Sequence, residues 1–253
     1  MGINIHSVLS AKIMANLVSL NNVEHKNLKI NVEYSAAHGH NVGCVMVLPT
    51  EFADVQREYP IFFQRDPQSN KLQAVALLGI SPEENLFLAN GVWNGRYVPA
   101  VFAKGPFVIG IEDQNPQENS GQAAVVMVDL DDPRVSEVSG VPLFLEFGGE
   151  SHYLQQVNSM LNGIYRGVQI SELMYQTFDE LGLIEPCNLE LTLNDGEVYR
   201  IQGCYTLNRD ALYALDSENV VRLHNSGFLE GAYLILASLN NIKRLIDIKN
   251  SRS

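Results

Sequence analysis

Two histidines, His38 and His40, stand two residues apart in the sequence. On a strand this spacing places both imidazole rings on one face, which is how many cupin iron sites begin. Such a site needs a third ligand close by, and Glu51 lies too far along the chain for that pattern. Gly39 and Asn41 indicate a turn instead. We therefore interpret the pair as structural and keep the two histidines only as the less favoured candidate metal ligands.

Three aspartates, Asp129, Asp131 and Asp132, have a spacing similar to the start of a calcium-binding loop. An EF-hand loop also needs a glycine at its sixth position and a bidentate glutamate at its twelfth. The sequence has neither residue at those positions, so the aspartates are interpreted as a solvated turn at the end of a strand. We expect no metal and no other cofactor.

Residues 148–152 read Gly-Gly-Glu-Ser-His and offer backbone donors beside a serine and a histidine. The G-x-S-x-G turn of a nucleophilic serine does not surround Ser151, and His152, as its direct neighbour on a helix, would not face it. The segment is better interpreted as a helix N-terminus, whose free N–H groups can hold an anion. Cys187 and Cys204 have no basic neighbour to activate a thiol, so they do not indicate catalysis.

An aromatic segment is the strongest candidate for a functional site. Trp93, the single tryptophan, is followed by Tyr97, Phe102 and Phe107, with turn residues between them. The favoured interpretation is an aromatic plug in the core. The alternative is a loop surface that recognises a peptide or a sugar, since aromatic side chains with adaptable polar neighbours suit such binding. Under this alternative the ligand-binding residues are Asn85, Trp93, Tyr97, Lys104 and Phe107.

The first half of the chain has the alternating and β-branched patterns of strands. Strands are expected at residues 28–34, 42–48, 61–63, 72–78 and 123–130. Thr50 is the expected N-cap of a short helix that Pro60 ends. Turn residues at 66–70 join two of the strands as a pair.

After Gly149 the hydrophobic period becomes helical. The first helix is expected to bury Tyr153, Val157, Met160 and Ile164. Ser171 is the expected N-cap of a second helix that ends at Gly182. A β-hairpin follows, with its turn at residues 194–196, and the last helix is expected over residues 228–248.

These elements predict an α+β protein with a β-rich N-terminal half and a helix-rich C-terminal half that includes a late β-hairpin. No linker or repeat separates the halves, so we expect them to share one core. The expected organisation is a single domain over residues 1–253. A subdivision near residues 148–150, where the period changes, is the alternative.

Three blocks of sequence carry a resemblance to a known family. The first comprises Thr-Glu-Phe at 50–52, Tyr-Pro-Ile-Phe-Phe at 59–63, Ala-Leu-Leu-Gly at 76–79 and Glu-Asn-Leu-Phe at 84–87. The second comprises Gly-Val-Trp-Asn-Gly-Arg-Tyr-Val-Pro-Ala at 91–100 and Gly-Pro-Phe at 105–107. The third comprises Gly-Phe-Leu at 227–229 and Ala-Ser-Leu at 237–239. With these blocks in this order, the chain resembles the bacterial SapC family over almost its whole length.

The resemblance includes one departure. Members of the family usually carry arginine just before Tyr-Pro-Phe, whereas residues 103–107 here read Ala-Lys-Gly-Pro-Phe. Lys104 keeps the positive charge but has no planar bidentate fork, so any grip that the arginine has on a carboxylate would be weaker here. The family takes its name from a bacterial surface-layer locus, and this association implies no mechanism.

Composition and charge exclude several classes of protein. Of the 253 residues 46% are hydrophobic, which is enough to build a core, and the net charge of −12 makes nucleic acid and membrane surfaces poor partners. The sequence shows no signal peptide, lipidation motif or membrane-spanning stretch, and its three cysteines lack C-x-x-C spacing. We therefore expect a soluble, cytoplasmic protein with reduced thiols.

The absence of a recognised catalytic motif favours a non-catalytic binding or accessory protein of the SapC family, with a peptide or another protein as its partner. The alternative is a metal-dependent or other enzyme, oxygenase-like or hydrolytic, with a scattered active site. Its candidate residues are His38, His40, Glu51 and His152. The sequence leaves open whether the protein forms a homo-oligomer.

Overall fold

The computed structural model describes residues 2–4, 16–66, 69–115 and 120–252. Sheets concentrate in the N-terminal half and helices in the C-terminal half, which confirms the α+β class. The strands are β1 (Gly2–Asn4), β2 (Leu17–Ser19), β3 (Lys29–Ile30), β4 (Cys44–Met46), β5 (Ile61–Arg65), β6 (Leu72–Leu77), β7 (Leu88–Ala89), β8 (Val92–Trp93), β9 (Phe107–Asn115), β10 (Ser120–Asp129), β11 (Val135–Ser136), β12 (Val141–Pro142), β13 (Ile184–Thr192) and β14 (Val198–Leu207). The helices are α1 (Phe52–Val55), α2 (Ala100–Ala103), α3 (His152–Glu180), α4 (Arg209–Tyr213), α5 (Ser217–Asn225), α6 (Phe228–Ser238) and α7 (Ile242–Asn250). Short 3₁₀ helices cover Ala36–His38, Pro49–Glu51 and Leu239–Asn241.

The described residues form two compact units. The first comprises described residues of 2–4, 34–101 and 166–252, and the second those of 16–33 and 102–165. These boundaries do not coincide with residues 148–150, where the hydrophobic period changes. A single domain over residues 1–253 stays a prediction.

A six-stranded sheet organises the first unit. Its strands run in the order β1-β14-β5-β6-β4, with β13 also paired to β14. Strand β1 is parallel to β14, and every other pair is antiparallel. The late hairpin β13–β14 confirms the prediction and also completes the sheet, because Cys204 and Tyr205 pair with Gln64 and Phe63 of β5.

Strand β5 lies at the centre of this unit's core. Ile61, Phe62 and Phe63 are consecutive and all buried, and successive strand residues point to opposite faces of a sheet. Both faces of β5 are therefore covered. The ring of Tyr175 from α3 packs on Phe63 with a centroid distance of 5.2 Å, and α6 contacts β5 and β14. From α6, the Ser238 hydroxyl oxygen accepts the Ile61 N–H at 2.8 Å.

The second unit has a separate set of strands, of which β9 and β10 are long and the others are short. One sheet runs β2-β10-β9 and the other β11-β3-β12. Its core comprises Leu28, Ile30, Phe107, Val128, Leu143, Leu154, Val157 and Leu161. The buried face of the helix that starts at residue 152 therefore differs from the expected one. Leu154 and Leu161 are buried, while Met160 is only half-buried.

The prediction of two helices between residues 153 and 181 is wrong, because α3 is one helix of 29 residues. Ser171 does not cap a helix; its hydroxyl donates to the carbonyl of Val168 at 2.8 Å, a bond that a serine inside a helix can make. Gly182 ends the helix as expected, with φ +64°. Its N–H donates to Asp179 and that of Leu183 to Phe178, which satisfies the last carbonyl groups.

The expected last helix over residues 228–248 is interrupted. The 3₁₀ turn Leu239–Asn241 separates α6 from α7. Asparagine is a poor helix former because its side chain competes for backbone hydrogen bonds. Here the amide of Asn241 donates to the carbonyl of Gln56 at 2.7 Å, so the interruption ties α7 to the segment after α1. No helix in the described part of the chain is both long and apolar enough to cross a bilayer.

Replacing Ser238 with alanine tests the link between α6 and β5. The change leaves the buried Ile61 N–H without its acceptor, so we expect the free energy of unfolding to fall by about 1–3 kcal/mol. Ser251→Ala is the matched control, because the Ser251 hydroxyl donates to the Ile248 carbonyl as the Ser238 hydroxyl donates to that of Ile235, but Ser251 is exposed. Urea denaturation measures the unfolding free energy of both variants. Equal losses of unfolding free energy in the two variants would contradict a stabilising role for the bond between Ser238 and Ile61.

Candidate functional site

Between Trp93, the last residue of β8, and Ala100, the first residue of α2, the chain forms an irregular loop. Interactions from α1 and its flanking residues hold this loop in place. Trp93 is only 8% exposed. Its indole N–H lies 3.0 Å from both the Tyr59 hydroxyl and the Tyr97 carbonyl oxygen. Its ring also contacts those of Tyr34 and Phe87, with centroid distances of 5.8 and 6.5 Å. The tryptophan therefore has the geometry of a core plug.

Glu58 fixes the middle of the loop. Its side chain is only 5% exposed, and its Oε2 accepts the backbone N–H groups of Arg96 at 2.6 Å and Tyr97 at 3.2 Å. Its Oε1 forms an ion pair with Arg244 Nη1 of α7 at 3.2 Å. Both oxygens of this carboxylate are therefore used to hold structure.

Glu51 fixes the end of the loop. Its Oε2 accepts the hydroxyl of Tyr97 at 2.8 Å and the N–H of Ala100 at 2.9 Å, while Oε1 accepts the N–H of Leu48 at 3.0 Å. This reach-back bond replaces the capping expected from Thr50. Burial raises the pKa of the Glu51 carboxyl group, and the three hydrogen bonds oppose that rise.

Gly95 is required by the close approach of these groups. A Cβ atom at this position would lie 2.2 Å from the Tyr59 hydroxyl and 2.9 Å from Glu58 Oε2. Neither neighbour is free to move, since each is buried and hydrogen-bonded. A side chain at residue 95 would therefore displace the loop.

An open cleft of about 410 Å³ lies beside this loop. Its lining residues are Asp54, Arg57, Glu58, Arg96, Tyr97 and Arg244. The cleft thus holds three guanidinium groups and two carboxylates, in a chain whose net charge is −12. A locally positive cleft of this kind attracts anionic groups despite the overall charge.

The five candidate ligand-binding residues do not all belong to one unit. Asn85, Trp93 and Tyr97 belong to the first unit, and Lys104 and Phe107 to the second. Of these, Tyr97 lines the cleft. Asn85 is buried and holds backbone: its amide donates to the His40 carbonyl at 2.7 Å and its Oδ1 accepts the Phe87 N–H at 2.9 Å.

Lys104 and Phe107 are joined by a local hydrogen bond. The Lys104 ammonium donates to the carbonyl of Phe107 at 3.2 Å, and the Phe107 ring is buried in the core of the second unit. Burial lowers the pKa of Lys104, the nearby Arg134 lowers it further, and Asp132 opposes the shift.

The histidine pair lies in a turn, as its glycine indicated. His38 ends a 3₁₀ helix, and Gly39 has φ +78°. The two rings are tilted, with centroids 6.0 Å apart, and His40 Nδ1 accepts the Ser35 N–H at 3.1 Å. Across the described residues, no three or more His, Cys, Asp and Glu side chains are grouped so that they could hold a metal ion.

The aspartate cluster forms a turn, but the expectation that it is solvated is wrong. Asp129 and Asp132 are buried. Asp129 Oδ1 accepts the Asp131 N–H at 3.1 Å, and Arg134 binds Asp132 with two hydrogen bonds of 2.9 and 2.8 Å. A bidentate arginine pair compensates the burial of this carboxylate.

Ser151 is the N-terminal cap of α3. Its hydroxyl accepts the N–H of Leu154 at 3.2 Å, which satisfies one of the free donors at the start of the helix. His152 is exposed and lies 3.2 Å from the side chain of Gln156, one helical turn later. The interpretation of residues 148–152 as a helix N-terminus is confirmed.

Cys187 and Cys204 occupy directly paired positions on β13 and β14. The Cys204 thiol lies 3.0 Å from the Cys187 carbonyl oxygen. It also hydrogen-bonds the Cys187 sulfur, which lowers the pKa of Cys187 and raises that of Cys204. Burial raises the pKa of the third thiol, Cys44, to about 12.

Sequence reasoning missed Glu58 and the arginines of the cleft, and it named Glu51 only as a candidate residue of the enzyme alternative. One signal was available: Glu51, Val55 and Glu58 recur at i, i+4 and i+7, so they share one face of the short helical segment. Two acidic residues on the face that carries a buried valine indicate buried, hydrogen-bonded carboxylates. No local signal connects Arg96 to Arg244, since 148 residues separate them.

Comparison with known proteins gives one match. A family model described as SapC matches residues 20–245, which is most of the chain. No curated protein and no solved structure matches the chain.

Truncating Trp93 tests its role as a core plug. We expect Trp93→Ala to lower the free energy of unfolding by about 3–5 kcal/mol, because the change removes a buried ring and its two hydrogen bonds. Tyr213→Ala is the control, since Tyr213 is 62% exposed and its loss should cost less than about 0.5 kcal/mol. Denaturant titration measures both values. If Trp93→Ala were as stable as Tyr213→Ala, the role of Trp93 as a core residue would be contradicted.

The buried Glu51 predicts a pH dependence of stability. A carboxyl group whose pKa is raised by folding stabilises the protein most below its ordinary pKa of 4.5 and loses that contribution as the pH rises. The stability of the wild type relative to Glu51→Gln should therefore fall as the pH rises from 4.5 towards neutrality. Thermal melts of both proteins across this range measure the difference. A difference that grows with pH would show that the three hydrogen bonds outweigh burial.

Proposed function

The chain belongs to the SapC family, and from the geometry of its loop and cleft we propose that it is a non-catalytic binding protein that recognises a peptide or protein partner. The observation that carries this proposal is the arginine-lined cleft beside the fixed loop at residues 93–100. We further propose that the protein acts in the cytoplasm, where its net charge of −12 disfavours nucleic acid and membrane surfaces as partners.

The buried acids of this region do structural work. Glu51 accepts three hydrogen bonds and Glu58 accepts two and forms an ion pair. A general base needs an oxygen within reach of a substrate proton. With every oxygen facing a donor of the protein itself, these carboxylates are better suited to organising a surface than to proton transfer.

The cleft has the composition of a recognition surface. Arginine and tyrosine are enriched among the residues that contribute most to protein–protein binding, and the cleft presents Arg57, Arg96, Arg244 and Tyr97 together. The backbone of the loop is fixed before a partner arrives, which reduces the entropy lost on binding. A volume of about 410 Å³ is within the usual range for clefts that hold small ligands.

An enzyme with a scattered active site is the less supported alternative. Of its four candidate residues, Glu51 and His40 Nδ1 accept hydrogen bonds from backbone N–H groups. His152 is exposed at the start of α3, in the second unit, whereas the other three belong to the first.

Removing one cleft arginine tests the proposal. We expect Arg96→Ala to reduce partner recovery about tenfold or more from a lysate of the native host, because an arginine at the centre of an interface often contributes 2 kcal/mol or more. Quantitative mass spectrometry of proteins captured by the immobilised variants measures recovery. Melting temperatures should stay equal, since Arg96 is exposed.

Arg209→Ala is the matched control for this experiment. Arg209 is also exposed, carries the same charge and lies on α4, outside the cleft lining. Its loss should leave capture at the wild-type level. Equal capture by all three proteins, or no protein enriched by the wild type, would contradict the proposal.

A further inference from the structure

We infer that the cleft binds the carboxylate of an acidic side chain in a peptide partner, with Arg96 as the residue that grips it. This inference rests on the proposed function and names the chemical group that the cleft recognises. The grounds are the pairing of the charged side chains in the cleft, the fixed position of Arg96 and the net charge of the cleft.

Two of the three cleft arginines already have partners. Arg57 Nη1 lies 3.3 Å from Asp54 Oδ1, and Arg244 Nη1 lies 3.2 Å from Glu58 Oε1. The guanidinium of Arg244 is also placed over the Phe87 ring, 5.4 Å from its centroid. Within the described part of the chain, the Arg96 guanidinium makes no hydrogen bond or ion pair. It is the cleft cation available to an incoming anion.

The backbone that carries Arg96 is held in position from both sides. Its own N–H donates to Glu58 Oε2 at 2.6 Å, and Gly95 before it lies close against the Tyr59 hydroxyl. After it, Tyr97 is fixed through its N–H, its carbonyl oxygen and its hydroxyl. A ligand that binds Arg96 therefore needs to order only the arginine side chain, which lowers the cost of binding.

The charge of the cleft selects a monovalent anion. Three guanidinium groups face two carboxylates, which leaves one excess positive charge. A side-chain carboxylate carries one negative charge, whereas a phosphate monoester carries about 1.5–2 at neutral pH. The second charge of a phosphate would be repelled by Asp54 and Glu58. Carboxylate also matches the planar fork of arginine with two parallel hydrogen bonds.

The surroundings of Arg96 favour a peptide as the source of this carboxylate. Tyr97 lines the cleft beside Arg96, and tyrosine and arginine are enriched among the residues that contribute most to protein–protein binding. The Arg57–Asp54 pair is exposed on both sides, and exposed pairs are weak. Arg57 can therefore turn towards a second acceptor on the same peptide.

Nuclear magnetic resonance of the arginine side chains tests the inference directly. The probes are acetyl-Ala-Ala-Glu-Ala-Ala-amide, the same peptide with glutamine in place of glutamate, and inorganic phosphate. We expect the glutamate peptide to shift the Arg96 Nε–H resonance in a saturable way, and the glutamine peptide and phosphate to leave it in place. The Arg209 Nε–H resonance is the internal reference for non-specific binding to an exposed arginine.

Variants of Arg96 separate charge from geometry. Arg96→Ala should weaken binding of the glutamate peptide about tenfold or more, as expected for the loss of a charge-assisted hydrogen-bonded pair. Arg96→Lys keeps the charge but loses the planar guanidinium fork. Its affinity for the glutamate peptide should therefore lie between those of the wild type and Arg96→Ala. The Arg96 Nε–H resonance is absent from the spectrum of the Arg96→Lys protein, so this spectrum also identifies which resonance belongs to Arg96. Both variants should melt at the wild-type temperature because the side chain is exposed.

Equal shifts with the glutamate and glutamine peptides, a response to phosphate alone, or matching shifts of Arg209 would overturn the inference. Its failure is distinguishable from failure of the proposed function. If capture of a partner from lysate depends on Arg96 while the glutamate peptide gives no shift, the binding function stands and the carboxylate inference is wrong. If capture is also independent of Arg96, both are wrong.

Discussion

Two buried carboxylates hold the loop on which the rest of the candidate site depends. Glu51 and Glu58 together accept five hydrogen bonds, four of them from backbone N–H groups and one from the Tyr97 hydroxyl. A carboxylate taken out of water is strongly destabilising unless donors replace its hydration. Glu58 also has the Arg244 guanidinium, whose Nη1 lies 3.2 Å from Glu58 Oε1.

This arrangement connects the packing of the first unit to the surface that it presents. The acids belong to a short helical segment, α1 and its flanking residues, which contacts α6, and α6 in turn packs on the central sheet. The loop therefore has its position determined by the core even though it has little regular secondary structure. Both acids are used to hold structure, and Arg96 is displayed from a backbone that does not need to rearrange.

Much of the fold follows from local patterns. The alternation of Leu189, Leu191 and Leu193 with the turn at residues 194–196 predicted the late hairpin, and Gly182 predicted the end of α3. The patterns could not show that β14 pairs with β5, because that register joins segments about 140 residues apart and leaves no periodic signal. Ser171 was wrongly predicted to cap a second helix. Serine is found at helix caps and also inside helices, where its hydroxyl bonds a preceding carbonyl.

The site itself was only partly predictable. Trp93 and Tyr97 marked the segment that borders the cleft, because aromatic residues among turn residues are unusual in a simple strand or helix. The chemistry lies in residues that look ordinary in sequence: Glu58 and Arg96 are a surface-type acid and base until the fold places them together. Asn85 holds backbone groups in place, and Trp93 fills the core. The Lys104 ammonium donates to the carbonyl of Phe107, three residues later.

Hydrogen exchange of the loop amides tests most directly whether the two acids hold this loop. The Arg96, Tyr97 and Ala100 amides should exchange at least about a hundredfold more slowly than in an unstructured peptide of the same sequence. Glu58→Ala should accelerate Arg96 and Tyr97 more than Ala100, and Glu51→Ala should accelerate Ala100 most. Exchange at the peptide rate in the wild type, or the same acceleration of all three amides in both variants, would contradict the account.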